Sequence, residues 1–427
     1  MIESLPTTRS ERKGTTGVPR GAVDVRMPKK AKKPVSKVRK VAGVLHLWLG
    51  LASGIVVFIV AVTGCIFVFQ KEISELIYRK QFFVTAPVHA KILPLNQMKS
   101  IAEQALHVPN VSVTTYSDPS RAWEFMYFKG GDPKALTFFG AVDSYKSAFI
   151  NPYTGKVTGI IDYEKEFFVI VKYLHWSLLL NTPYGQPIVG YSTLIFVILL
   201  ITGMVLWWPK NLKKANFNKS FKISWKAKFK RLNYDLHNVP GFYAMLITMV
   251  LALTGMVWAM SWFQTAVYVV ASRSVTPPKQ ISFVSGSTTA ALKNPIDIAF
   301  DVAKQQFPDA RRISLYVPDR GAPKSATISV NGYRGKEDYY DTDVLYLDQF
   351  TGKLLGRENF KDKNSGEKLI RMNYDIHVGV VLGLPGKILA FMGSFIAASL
   401  PVTGFMIWLG RKKKKKSNST SSHTSSI

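Results

Sequence analysis

The chain has 427 residues, 47% of them hydrophobic and 19% charged, yet its formal charge is +29. Of its 56 Lys and Arg, 27 fall in residues 1–41, 209–232 and 411–427, which hold only 3 of the 27 acidic residues. These basic segments flank uncharged apolar runs, which is the pattern of membrane topology, so nucleic acid is set aside as a partner.

In chain order, 1–41 is a polar, basic arm that leads straight into a full-length span. It is expected to be disordered, to fix orientation and to touch anionic lipid, and it does not fit a cleavable signal. Residues 42–70 carry no charge and form the first span, long enough for a hydrocarbon core of about 30 Å at about 1.5 Å per residue. Residues 71–165 form a first external domain. Over 166–185 a surface helix and a break at Asn181-Thr182-Pro183-Tyr184-Gly185 precede the second span, 186–208. A basic loop covers 209–232. The third span belongs to 233–272, uncharged from Val239 to Ser272, and a second external domain follows over 273–366. Another surface helix and break occupy 367–387, the fourth span is 388–410, and a basic, Ser-rich tail closes the chain at 411–427. Because basic residues precede span one, separate spans two and three and follow span four, both termini are expected to be cytoplasmic and the long connections outside.

Spans one and three share the ungapped pattern H-x3-G-x12-T-G, with His46, Gly50 and Thr63-Gly64 in one and His237, Gly241 and Thr254-Gly255 in the other. Spans two and four share His175 or His377, then Pro183 or Pro385, then Thr202-Gly203-x3-Trp207 or Thr403-Gly404-x3-Trp408. The external segments close on Pro152-Tyr153-Thr154-Gly155-Lys156 and Gln349-Phe350-Thr351-Gly352-Lys353. The expected fold is therefore an α-helical membrane protein: a four-helix transmembrane bundle from a tandem duplication, with two small external α+β domains. Each external domain opens with an amphipathic helix, at Met98, Ile101, Ala102, Ala105 and Leu106 or at Ile298, Ala299, Val302 and Ala303. Strands follow at VSVTTY, WEFMYF and LTFFG in one, and at RISLYV, ATISV and VLYLDQF in the other. Cys65 is the sole cysteine, so disulfides contribute nothing.

Four of the seven histidines, His46, His175, His237 and His377, are expected at or near the first turns of the four membrane-associated segments, where the positive helix end favours neutral imidazole, the form that ligates metal. An imidazole beside lipid is costly without a partner, and fourfold recurrence points to function. Duplication would pair His46 with His237 near the inner face and His175 with His377 near the outer face. With no carboxylate or thiol beside either pair, two facing imidazoles suit the axial positions of a haem, and the absence of C-x-x-C-H implies non-covalent b-type haem. Gly50 and Gly241 either leave a groove for a flat macrocycle or serve close helix packing. Trp207 and Trp408 are read as interfacial belt residues. Lys172 and Arg371 fit either haem propionates or lipid headgroups. His89, His107 and His423 have no counterparts and are read as surface residues.

The segments LHLWLG, DLHNVPG, YLHWSLLLNTPYG and YDIHVGVVLGLPG, with NPYTGKV and DQFTGKL in the external domains, resemble the PepSY-associated transmembrane family of bacteria from about residue 38 to 411. Within that family the chain is most similar to inner-membrane ferric-siderophore reductases. The resemblance implies two b-type haems with His46, His175, His237 and His377 as axial iron ligands, external domains that shape the site for a ferric chelate or siderophore, and an electron donor in the cytoplasm or membrane, because no G-x-G-x-x-G nucleotide-binding segment is present. Two rival readings remain: a binding or regulatory membrane protein without redox activity, and metal transport through the four-histidine bundle.

Overall fold

A computed structural model describes residues 36–88, 91–209, 214–278, 281–286, 294–319, 322–335 and 337–423. Nearly all of the arm expected over 1–41, part of the basic loop, His89 and the last four residues lie outside the described residues, as does the side chain of His423.

Among the described residues four helices are long and apolar enough to cross a membrane. The first is α1 (Lys37–Phe67), followed by the short α2 (Gln70–Ile77) and α3 (Arg79–Phe82). The external chain then runs α4 (Leu95–Leu106), β1 (Ser112–Tyr116), β2 (Trp123–Gly130), α5 (Phe138–Ala141), β3 (Val142–Ile150) and β4 (Val157–Asp162). It returns through α6 (Phe167–Ser177) to the second long helix, α7 (Thr182–Trp207), and the short α8 (Lys214–Phe221) precedes the third, α9 (Phe229–Ala259). A second external run comprises α10 (Ser261–Ser272), α11 (Pro295–Gln306), β5 (Arg312–Tyr316), β6 (Thr327–Tyr333), β7 (Thr342–Asp348) and β8 (Leu354–Glu358). It ends in α12 (Ser365–His377), and α13 (Gly383–His423) is the fourth long helix.

Several boundaries differ from expectation for local reasons. The expected break at 181–185 is the start of α7: Asn181 occupies the cap, and Pro183 sits in the first turn, where a missing N–H costs nothing. The third span stops at Ala259 because Met260 turns extended (φ −139°, ψ 107°), so the apolar run up to Ser272 is two helices. The Thr-Gly-Lys segments are hairpin turns before the final strand of each run, with Gly155 at φ 73° and Gly352 at φ 67°, where a side chain would be strained.

The long helices form a ring in which α1 packs on α7 and α13, and α9 packs on the same two. Helices α1 and α9 therefore face each other diagonally, as do α7 and α13. Outside the bundle, the two external runs do not form separate domains. Their strands join in one antiparallel sheet of order β4-β3-β2-β1-β5-β6-β7-β8, which reads the same from either edge. The seam is β1 against β5, with Val113 opposite Leu315 and Tyr116 opposite Arg312. One core lies under both halves: Leu95, Met98 and Ala102 of α4 and Ile296, Ala299 and Ala303 of α11 pack with Val113, Phe125, Leu315 and Val330. The alternation of buried and exposed residues marks the strands, but nothing in a half-sheet's own pattern says that its edge strand has a partner elsewhere in the chain. The stretch LTFFG, expected as a strand, contains the short α5, and the strand matching VLYLDQF is Val142–Ile150 instead.

Leu315 is fully buried at the seam. Leu315→Ala is expected to cost about 2–5 kcal/mol and to lower the melting of both halves together in one thermal transition, followed by limited proteolysis at sites in each half. Two separable transitions would contradict a shared core.

Candidate cofactor site

The four histidines meet as two pairs. The ring centroids of His46 and His237 are 6.2 Å apart with planes at 87°, and those of His175 and His377 are 6.0 Å apart at 63°. His46 and His237 come from the diagonal helices α1 and α9. His175 and His377 come from the ends of α6 and α12, which abut the bundle on the sheet side. Seventeen residues of α1 separate His46 from Thr63, which touches His175, so the two layers stand roughly 25 Å apart along the helix. The expected placement in first turns does not hold. His46 and His237 lie two to three turns into their helices, and His175 and His377 lie in last turns. Helix polarity therefore does not prepare these imidazoles; hydrogen bonds do.

Every one of the four rings is held in the same way. His46 Nδ1 lies 3.0 Å from Thr202 Oγ1, His237 Nδ1 2.9 Å from Thr403 Oγ1, His377 Nδ1 2.8 Å from Thr254 Oγ1, and His175 Nδ1 3.2 Å from Thr63 Oγ1. Each ring also meets the backbone carbonyl three residues before that threonine: Leu199 for His46, Leu400 for His237, Leu251 for His377, and Val60 for His175, 2.8 Å from its Nδ1. The threonine hydroxyls donate to the carbonyls four residues before them, Ile198, Ser399, Val250 and Ile59, so toward the histidine each offers only a lone pair. A carbonyl can only accept. Nδ1 therefore carries the proton, and the Nε2 lone pair is left for an electron-pair acceptor.

The glycine after each threonine makes room for the ring. A side-chain carbon at Gly203 or Gly404 would stand 3.2 Å from Cε1 of His46 or His237, at Gly64 3.3 Å from Cε1 of His175, and at Gly255 3.5 Å from Cε1 of His377. The Thr-Gly repeat is thus the cradle of the histidines, and each cradle comes from a different long helix than the ring it holds. Gly50 and Gly241 instead face Leu199 and Leu400, a packing role. On the second half, Asn233 and Asn373, four residues before the histidines, donate to the carbonyls of Thr403 and Thr254. Asp235 is tied to Arg231 and the Ser224 N–H, and Asp375 accepts from the Tyr339 N–H. The repeated N-Y-D-x-H was the signal in the sequence for these supports.

The sheet-side pair opens on an apolar cavity of about 530 Å³, lined by both histidines, Gly64, Gly255, Trp176 and Trp258. Trp258 stands edge-on to His377, ring centroids 5.4 Å apart. Lys172 lines this cavity, its ammonium 4.7 Å from the Tyr173 ring, and burial lowers its pKa. Arg371 is instead held by the Thr342 carbonyl. Burial raises the Asp375 carboxyl to about 6, against the hydrogen bond from the Tyr339 N–H. Trp207 is no simple belt residue: it stacks on Phe242 at 3.8 Å and donates to the Ser220 carbonyl. His107 is an exposed helix cap, and Cys65 is a free thiol.

Two metal–imidazole bonds of about 2 Å, plus two ring radii of about 1.1 Å, give a centroid separation of about 6 Å when one metal ion lies between two histidines. Both pairs match that spacing. Among the described residues no group of three or more His, Cys, Asp or Glu comes together to hold a metal ion, so each pair offers two nitrogens and needs a ligand set that brings the rest. A planar macrocycle with four equatorial nitrogens fits that need.

The sequence profile of the PepSY-associated TM region matches residues 44–411. The chain belongs to the PepSY-associated transmembrane family. Among curated proteins none matches the chain. All four histidines and all four Thr-Gly cradles of this family member lie inside the matched segment.

Removing a hydrogen bond that orients a ligating histidine typically costs 10–100-fold in metal affinity. The double change Thr403→Val with Gly404→Ala is expected to weaken binding of added iron porphyrin at the His46–His237 pair by about that factor, with binding at the other pair unchanged, in an absorbance titration. Equal weakening at both pairs would contradict a local cradle.

Proposed function

We propose that this protein is a di-haem transmembrane oxidoreductase that carries electrons toward the sheet side of the membrane and there reduces a ferric chelate of the siderophore type, releasing ferrous iron. The observation that carries this reading is the pair of matched imidazole couples at two depths, each with its Nδ1 atoms occupied and its rings about one shared ion apart. When bound, two b-type haems supply one-electron transfer in two stages across a bilayer about 30 Å thick.

The chain's own residues do the rest. His46 with His237, and His175 with His377, would hold the haems through their ring nitrogens, and the Thr-Gly cradles hold the rings at the right tautomer. Val56, Val60, Phe196 and Leu251 wall the sheet-side cavity with apolar surface, which would keep water from a group bound there.

Ferric iron is gripped by hard oxygen ligands. One electron converts it to the softer divalent ion and weakens that grip, so no general acid, base or nucleophile is required. The electron comes from a donor in the cytoplasm or the membrane. The basic segments support a reading with both termini on the cytoplasmic side of a bacterial inner membrane and the sheet outside.

The reading is tested with purified protein in proteoliposomes, dithionite trapped inside, and a ferric hydroxamate chelate with a ferrous-specific dye outside. Ferrous iron is expected to appear outside with the unaltered protein, and at the rate of empty liposomes with His46→Ala/His237→Ala or His175→Ala/His377→Ala. A colourless protein, or rates unaffected by both double changes, would favour the binding or regulatory reading.

A further inference from the structure

Beside the sheet-side cavity lies a second, much smaller cleft of about 40 Å³. The two share Phe67, Val68, Tyr374 and Val378 as walls. The large cavity is apolar, whereas the small one is lined by Arg312, Lys71, Lys387, Glu337 and Tyr339. Lys387 is already committed to two carboxylates, Glu72 and, at 3.0 Å, Glu337, while Lys71 approaches Glu337 at 3.5 Å. Arg312 differs. Its guanidinium carbon lies 4.1 Å from the Tyr333 ring centroid and 4.3 Å from that of Tyr339, and its Nη2 is buried without a hydrogen-bond partner. Glu124 sits on the same face of the sheet, near enough to interact electrostatically with Arg312, but it forms no ion-pair contact with it and its Oε1 is occupied by Ser147 and Tyr163.

An orphaned guanidinium nitrogen in a part-buried cleft is costly unless something anionic or polar arrives to meet it. Two tyrosine faces fix the guanidinium plane, which prepares it for planar, two-point contact with a carboxylate. The volume limits the guest. One water needs about 10–15 Å³ of such space, so the cleft admits a carboxylate or a few waters and excludes a whole chelate. Its shared wall with the large cavity means that a ligand with a flat apolar body in the one can extend an acidic arm into the other.

We propose that the cleft is a carboxylate site in which Arg312 anchors an acidic arm of the ligand held by His175 and His377. On the reading given under Proposed function, on which this rests, that arm is a haem propionate. The assignment replaces Arg371, whose Nη1 is engaged with the Thr342 carbonyl.

The test is an absorbance titration of full-length His46→Ala/His237→Ala protein, which keeps only the sheet-side pair, with iron protoporphyrin and with its dimethyl ester, which retains iron and macrocycle but has no carboxylate. The free acid is expected to bind at least about tenfold more tightly than the ester. Arg312→Gln should reduce the free acid to the ester's affinity and leave the ester unchanged, and Arg312→Lys should restore part of the difference. Equal affinities for acid and ester in the unaltered cleft would mean that it holds water only and would overturn the proposal. So would an Arg312→Gln protein that still discriminates, or one that binds both porphyrins normally but loses affinity for an anionic ferric chelate, which would assign the cleft to the substrate. Failure of the sheet-side pair to bind either porphyrin would overturn the di-haem reading itself, and the carboxylate site with it.

Discussion

The arrangement depends on one hydrogen bond made four times, from a histidine Nδ1–H to a threonine oxygen and the carbonyl one helical turn before it. A free imidazole can present either nitrogen, and it can turn about two side-chain bonds. Here the acceptors decide both matters together: the proton is drawn to Nδ1, the ring is fixed edge-on to the cradle helix, and Nε2 is left as the available base. The glycine that follows each threonine lets the ring come close enough for the bond to form. Because the cradle and the ring belong to different helices, the same bond also clamps helix to helix: α1 to α7 and α9 to α13 within the ring of four, and α6 to α1 and α12 to α9 at its sheet-side end.

That coupling links packing to the proposed chemistry. Diagonal helices α1 and α9 carry the histidines of the distal layer, while α7 and α13 carry its cradles. At the sheet-side layer the roles exchange: α1 and α9 supply the cradles, and α6 and α12 supply the rings. Each long helix is thus committed at both depths or bound to one that is. The sheet adds a constraint from outside, because the continuous seam of β1 on β5 joins the two runs of chain that lead into α6 and α12. The separation of His175 from His377 is set by the bundle below and by a shared core above.

Much of this was legible in the sequence. The charge-free runs located the long helices, and the recurrence of His46, His175, His237 and His377 singled out the four rings and their pairing. The recurrence of Thr-Gly was visible too, but its purpose was not, since a motif seventeen residues from one histidine serves a different one that is distant in sequence. Helix ends were misjudged where apolarity continued through a bend, as at Met260, because hydropathy does not register a change of backbone angle. The position of the histidines within their helices was misjudged for a related reason: α1 and α9 begin in basic sequence that looks like loop. The single sheet was hidden because pairing between β1 and β5 joins residues about 200 apart, and strand patterning carries no information about its partner. Arg312 was silent, since its interest lies in a missing partner.

The claim that each imidazole pair grips one iron porphyrin is tested most directly by the haem content of the purified full-length protein, produced with haem supplied and assayed as the pyridine complex against polypeptide concentration. The account predicts two non-covalent b-type haems per chain. A colourless protein, or one that carries copper or zinc and no porphyrin, would contradict it.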